Sequence, residues 1–193
     1  MPVLRHSRHG TDAAACRIVR PRRRIGRPPY QGVKVVAKIL LLCYGNPGRL
    51  DDGLGPALGV LLEEGAPPGV QVEINYQLTV EDAGAVADSQ AVVFVDAAVQ
   101  GPEPFSFARV GERDGANFSS HSVEPGQLLY LGRTLFGAAT AGFALAIRGY
   151  QFGAFGEVLS EGARRNLEAA RVFIQPLLNG GLEAAAPKHG VLS

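Results

Sequence analysis

The stretch Ile39-Leu-Leu-Leu-Cys-Tyr-Gly-Asn-Pro-Gly-Arg-Leu-Asp-Asp-Gly-Leu-Gly55 leaves this chain few folds to choose from. Its unbroken apolar run reads as a strand buried on both faces, as in a parallel sheet covered by helices. Gly45-Asn-Pro-Gly48 is turn chemistry. Leu54, Leu58, Leu61 and Leu62 then fall at helical spacing, until Gly65 and Pro67-Pro68 stop them. Between turn and helix sit two adjacent acids, Asp51 and Asp52. A strand that hands a carboxylate to the next helix is a common way to build a site on an open α/β sheet.

The rest of the chain repeats that alternation. Residues 35–43, 70–76 and 91–95 read as strands, with Asp96 at the end of the third. Residues 104–110 read as a fourth, antiparallel because no helix-length crossover separates it from the third, and 143–147 as a fifth. Thr79, with Asp82 three residues on, opens a short helix to about Asp88. A further helix carries Leu128, Leu131 and Leu135, with Pro125 in its first turn. The last starts at Ser160 and places Ala163, Leu167, Ala170, Ile174, Leu177 and Leu178 on one face.

This order predicts an α/β fold, a three-layer α/β/α sandwich around a mostly parallel five-stranded sheet with one antiparallel strand. With strand one central, the switch point falls between strands one and three, where such sheets bind ligands. Asp51/Asp52 and Asp96 then face each other across that crevice. The loops at 111–120 and 151–158 are expected to wall it.

Charge divides the chain. Residues 1–34 hold eight Arg and one Lys against a single Asp, a net of +8, while the remainder carries −7. With Arg22-Arg-Arg24, Pro28-Pro29 and no hydrophobic periodicity, residues 1–34 read as a disordered basic extension. Such a segment suits binding to nucleic acid, steering of an acidic partner or the role of an organelle transit peptide. A passive tail or an upstream start is preferred, so no nucleic-acid partner is expected. Residues 35–179 form the domain and 180–193 a flexible tail. At 193 residues and 46% hydrophobic composition the chain buries an ordinary core. No apolar run approaches the ~20 residues that span a bilayer, and no signal-peptide core is present. The expectation is a cytoplasmic monomer without a membrane partner. Cys16 and Cys43 lie too far apart in sequence for a C-x-x-C metal site, and two thiols build no disulfide framework.

Several chemistries are excluded. The loop 45–52 lacks the Gly-Lys-Ser/Thr of a phosphate loop. A dinucleotide fingerprint would need glycine at 58, which is leucine, and two acids would repel a pyrophosphate. No Gly-x-Ser-x-Gly elbow occurs. His6 and His9 lie in the extension and His189 in the tail, so His121 is the one histidine of the folded body. That rules out a two-histidine zinc peptidase. Asp51/Asp52, Asp96 and His121 remain. They suit either an open carboxylate/imidazole site for an exchangeable divalent ion or an acid/base pair on water. The plain alternatives are that Asp52 caps its helix, for about 1 kcal/mol, that Asp96 turns the chain, and that His121 is a surface side chain.

Together these residues resemble the maturation endopeptidases of nickel–iron hydrogenases. The resemblance rests on Gly45-Asn-Pro-Gly-Arg-Leu-Asp-Asp-Gly-Leu-Gly55, on Gln77-Leu-Thr79 followed by acids, and on the apolar run into Asp96-Ala. Ser120-His121 ahead of a Leu-rich helix completes it, and the match covers roughly residues 35–178. It implies a phosphorylase/hydrolase-like fold and a site in which Asp52, Asp96 and His121 are both catalytic residues and metal ligands. Some members of that family carry Glu where this chain has Asp52. The implied activity is removal of a short C-terminal peptide from the large-subunit precursor once nickel is inserted. Nickel would be presented by the precursor and serve as recognition element, with no organic cofactor. The chemistry would be nickel-assisted or aspartic-type. The alternatives are a non-catalytic metal-sensing chaperone that binds the precursor, and a small-molecule binder on a flavodoxin-like scaffold.

Overall fold

A computed structural model describes residues 37–114, 123–186 and 191–192. The extension 1–34, and His121 with the serines beside it, lie outside the described residues. The elements run β1 (Ala37–Tyr44), a 3-10 turn (Leu50–Gly53), α1 (Leu54–Glu63), β2 (Val70–Asn75), α2 (Asp82–Ala87) and β3 (Ser89–Ala98). Then come β4 (Phe105–Val110), α3 (Pro125–Phe136), β5 (Ala141–Arg148), α4 (Glu161–Leu177), α5 (Leu182–Ala185) and β6 (Val191–Leu192).

The strands form one sheet in the order β2-β1-β3-β5-β4-β6. β1 pairs parallel with β2 and β3, as expected, and β3 pairs parallel with β5. β4 is antiparallel, as expected, but its partner is β5 and not the third strand. A sixth strand, only two residues long, runs along β4. The apolar run of β1 serves both faces. Ile39, Leu41 and Cys43 join the core under α1 and α4, while Leu40 and Leu42 join the one under α2 and α3. The three layers follow from that alternation, because a strand apolar on both sides needs a helical cover on both.

Two expectations are corrected. The segment after 179 is not wholly a loose tail. Leu182–Ala185 is helical, and Leu182 and Ala186 are buried with the α4 core. Three alanines and one leucine gave too little periodicity to show that in sequence. Strand three also runs past Asp96, because Ala97 and Ala98 pair with Ile147 and Arg148 of β5. Among the described residues, no helix is long and apolar enough to cross a membrane.

Gly55 lets the first turn of α1 sit directly on the sheet. A Cβ there would meet the Tyr44 carbonyl oxygen at 2.2 Å and that of Val95 at 2.7 Å. Backbone cannot yield as a flexible side chain would. Gly55→Ala should therefore destabilise the domain by about 3 kcal/mol or more. Gly84→Ala, in open space within α2, should instead stabilise it by up to about 1 kcal/mol. Urea unfolding of both variants checks the pair, and equal effects would contradict the packing described.

Candidate active site

The loop after β1 is folded by its own polar groups. Gly45 has φ +135°, and a side chain there would run into the Asp52 carbonyl oxygen at 2.1 Å. The Asn46 side chain accepts from Gly48 N at 2.9 Å, tightening the turn. Asp52 Oδ2 then accepts from Asn46 N at 3.0 Å. The carboxylate therefore reaches back over the end of β1 instead of capping α1, whose N-cap is Gly53 without a side-chain bond. The helix-cap alternative for Asp52 is not what the chain adopts.

Its neighbour has a different task. Asp51 is fully buried and accepts four hydrogen bonds. They come from Tyr150 N at 2.8 Å, Gln151 N at 2.9 Å, Ser160 N at 2.7 Å and Ser160 Oγ at 2.8 Å. Burial alone would raise its pKa, but the donors outweigh that and hold the carboxyl below its usual range. The loop 151–156 is bonded along 48–51 as well, through Leu50 N to Gly156 O and Gly156 N to Gly48 O. It packs against the first loop and does not line the cleft, contrary to the expectation of a wall.

Asp96 is half-buried on β3, beside β1. Its Oδ1 accepts from Ala97 N at 2.7 Å, and the Tyr44 hydroxyl hydrogen-bonds its carboxyl. Burial is the main cause that pushes its pKa up to about 6. The Ala97 N–H and Tyr44 oppose that rise, and the charge of Asp52 adds to it. Tyr44 is driven well above its ordinary range, chiefly by burial and also by Asp96. Asp52 and Asp96 open on one cleft of about 220 Å³, which Tyr44, Gly45, Tyr76–Leu78 and Val123 also line.

The structure thus brings together two of the three expected side chains. The third, His121, lies outside the described residues, and Val123, two positions later, lines the same cleft. Among the described residues no group of three or more His, Cys, Asp or Glu could hold a metal ion. Cys43 is a buried core thiol whose pKa burial pushes up to about 12, which makes it inert. Sequence reasoning missed Tyr44. Strand alternation puts Tyr44 on the face of Leu40 and Leu42, but only the register of β1 with β3 sets that face beside Val92, Phe94 and Asp96.

No protein-family model matches the chain, and no curated protein matches it in sequence. Solved structures match it in fold. The hydrogenase maturation protease HycI from Thermococcus kodakarensis is 22% identical, with a TM-score of 0.58 over 75% of this chain and 94% of that one. The maturating endopeptidase HybD from E. coli is 18% identical, with a TM-score of 0.59 over 77% and 94%. An uncharacterised protein from Wolinella succinogenes is 26% identical, with a TM-score of 0.53 over 72% and 96%. The chain has the fold of the hydrogenase maturation proteases.

Two outcomes follow from the carboxylates. Asp51→Asn turns an amide toward N–H donors and should cost about 3 kcal/mol or more in urea unfolding. Asp96→Asn should do the reverse in the metal-free protein. The unfolded carboxyl releases its proton near 3.8 and the folded one near 6. Its stabilising contribution is therefore complete below pH 4 and is lost as pH rises through 6. The asparagine variant escapes that loss. It should match wild type near pH 4 and exceed it by about 1–3 kcal/mol at pH 7, after allowance for solvent screening. A stability difference that does not grow between these pH values would contradict the environment described for Asp96.

Proposed function

We propose that this chain is an endopeptidase that matures a nickel–iron hydrogenase, removing a short C-terminal peptide from the nickel-loaded large-subunit precursor. The observation that carries the reading is the convergence of Asp52 and Asp96 on one open cleft at the β1/β3 switch point. Neither is fully occupied by the fold, since each accepts one backbone N–H and keeps oxygen lone pairs for a ligand. The shared fold with maturation proteases adds a second, independent support.

The donor set fits a divalent ion brought by the substrate. Two carboxylates supply hard oxygen donors, and the charge of Asp52 raises the cost of ionising Asp96 until a cation arrives. His121, two residues before the cleft-lining Val123, is the third donor in this reading. Nickel here is cargo of the precursor and not a resident cofactor. When bound it would polarise the scissile carbonyl or acidify the attacking water. The chain's own part is to orient the ion, with Asn46 N holding Asp52 and Tyr44 holding Asp96. A carboxyl that titrates near pH 6 also takes and returns a proton near neutrality, which serves an aspartic-type step equally well.

The test is incubation of the full chain with nickel-loaded and nickel-free precursor, read by mass spectrometry. Loss of the tail from the loaded form alone is the expected result. Asp52→Asn, Asp96→Asn and His121→Ala should each slow it by about 100-fold or more while thermal unfolding stays cooperative. Binding of loaded precursor without any mass change would favour the chaperone reading. Processing at the wild-type rate by one of the variants would remove that residue from the site.

A further inference from the structure

The two edges of the sheet are finished differently. On one side β4 is covered by the two residues of β6. On the other, β2 pairs with β1 alone among the described residues. β2 keeps an unbroken register over Val70–Asn75, with no bulge, no proline and a single charge, Glu73. Edge strands are ordinarily blunted by lysine, proline, bulges or brevity, because their unpaired backbone groups template another chain. β2 uses none of these devices.

Its outward groups can be named. The Gly69 carbonyl accepts from Ile39 N and that of Asn75 from Gly45 N, so these residues bond toward β1. Alternation then turns 71 and 73 toward β1 as well, and turns the N–H and C=O of Val72 and Ile74 to the open side. The strand also leads somewhere. Tyr76, Gln77 and Leu78 follow it directly and line the cleft that holds Asp52 and Asp96, with Tyr76 63% exposed.

We propose that the open edge of β2 receives the precursor's C-terminal tail as an added antiparallel strand, an inference that rests on the function proposed above. Direction follows from geometry. The nickel-bearing body has to meet the carboxylates, which lie beyond the C-terminal end of β2. The residues after the scissile bond therefore start at that end and run back toward Val70. Backbone bonds to Val72 and Ile74 supply affinity, and side-chain faces supply preference. Tail residues opposite Val72 and Ile74 share the face of α1, where Val72 packs on the core and Ile74 lies over Gly59, 39% exposed. The residues between them share the face of the hydrogen-bonded polar pair Gln71 and Glu73. The tail that fits alternates apolar residues with polar or basic ones.

The experiment uses the full chain and a synthetic peptide copying the precursor's C-terminal tail, N-methylated at one backbone position at a time. Binding is read by fluorescence anisotropy. Methyl groups on the bonds that face β2 should weaken binding at least about tenfold, and those between should leave it unchanged, a period of two. Val72→Pro removes an outward N–H without touching the ladder to β1 and should weaken the unmodified peptide by a similar factor. In processing of loaded precursor it should raise KM and leave kcat within about twofold. A methylation series without alternation overturns the proposal, as does a Val72→Pro chain that binds like wild type. A change in oligomeric state on Val72→Pro would assign the edge to a second copy and also overturn it. The two readings fail separately. Alternating binding with no processing sinks the peptidase, while processing unaffected by Val72→Pro sinks the edge.

Discussion

The rim of this sheet depends on one buried charge. Asp51 has no contact with water, and four donors from the β5–α4 connection satisfy its carboxylate. Removing an ion from water costs several kcal/mol, recovered only when its lone pairs are filled in good geometry. That condition ties two loops about a hundred residues apart in sequence. It also orients α4, because the Ser160 hydroxyl that donates to Asp51 accepts in turn from Ala163 N as the helix cap. The loop that carries Asp52 is held from outside by Asp51 and from inside by Asn46.

Three aspartates within this small region show how environment separates identical groups. Asp51 meets four donors and is kept ionised below its usual range. Asp96 is also withdrawn from water, but it meets fewer donors and faces the charge of Asp52, so it moves the other way. The difference is in the count and placement of N–H and O–H groups, not in burial alone. The adjacent pair thereby divides its labour, Asp51 as the bond that closes the rim and Asp52 as the carboxylate left toward the cleft. A charge that folding leaves partly unsatisfied is a cost the domain carries at a place where it can act.

Much of this was legible in the chain. The unbroken apolar run of β1 announced two buried faces, and the Gly/Pro punctuation marked where strands hand over to helices. Asp52 and Asp96 were legible because strand ends at a switch point are where an open α/β sheet collects its side chains. What stayed hidden depended on distance in sequence or on register. Asp51 gave no sign of partners at positions 150, 151 and 160, since local pattern says nothing of contacts across a hundred residues. Tyr44 looked like the end of an apolar run until the pairing of β1 with β3 set it beside Asp96. The residues around Leu182 carried too few apolar positions to announce a helix. The loop 151–158 was rich enough in Gly and Phe to suggest a wall, whereas its backbone is spent on the loop 48–51.

The cleft and the open edge of β2 meet at Tyr76, and they would ask different questions of a substrate. A strand edge reads backbone and an alternating pattern, so it accepts many sequences and says nothing about whether a metal is in place. Two carboxylates on one cleft do the opposite. Their mutual repulsion falls when a cation enters, and the relief is the same whatever chain delivers it. If a tail lies along β2 and an ion reaches Asp52 and Asp96 together, neither contact alone need be strong. Their joint engagement multiplies, because the second becomes intramolecular once the first is made. A precursor with a tail but no metal would then bind weakly and stay uncut. On the function proposed, discrimination by loading state would follow from placing a sequence-tolerant edge next to a charge-selective cleft.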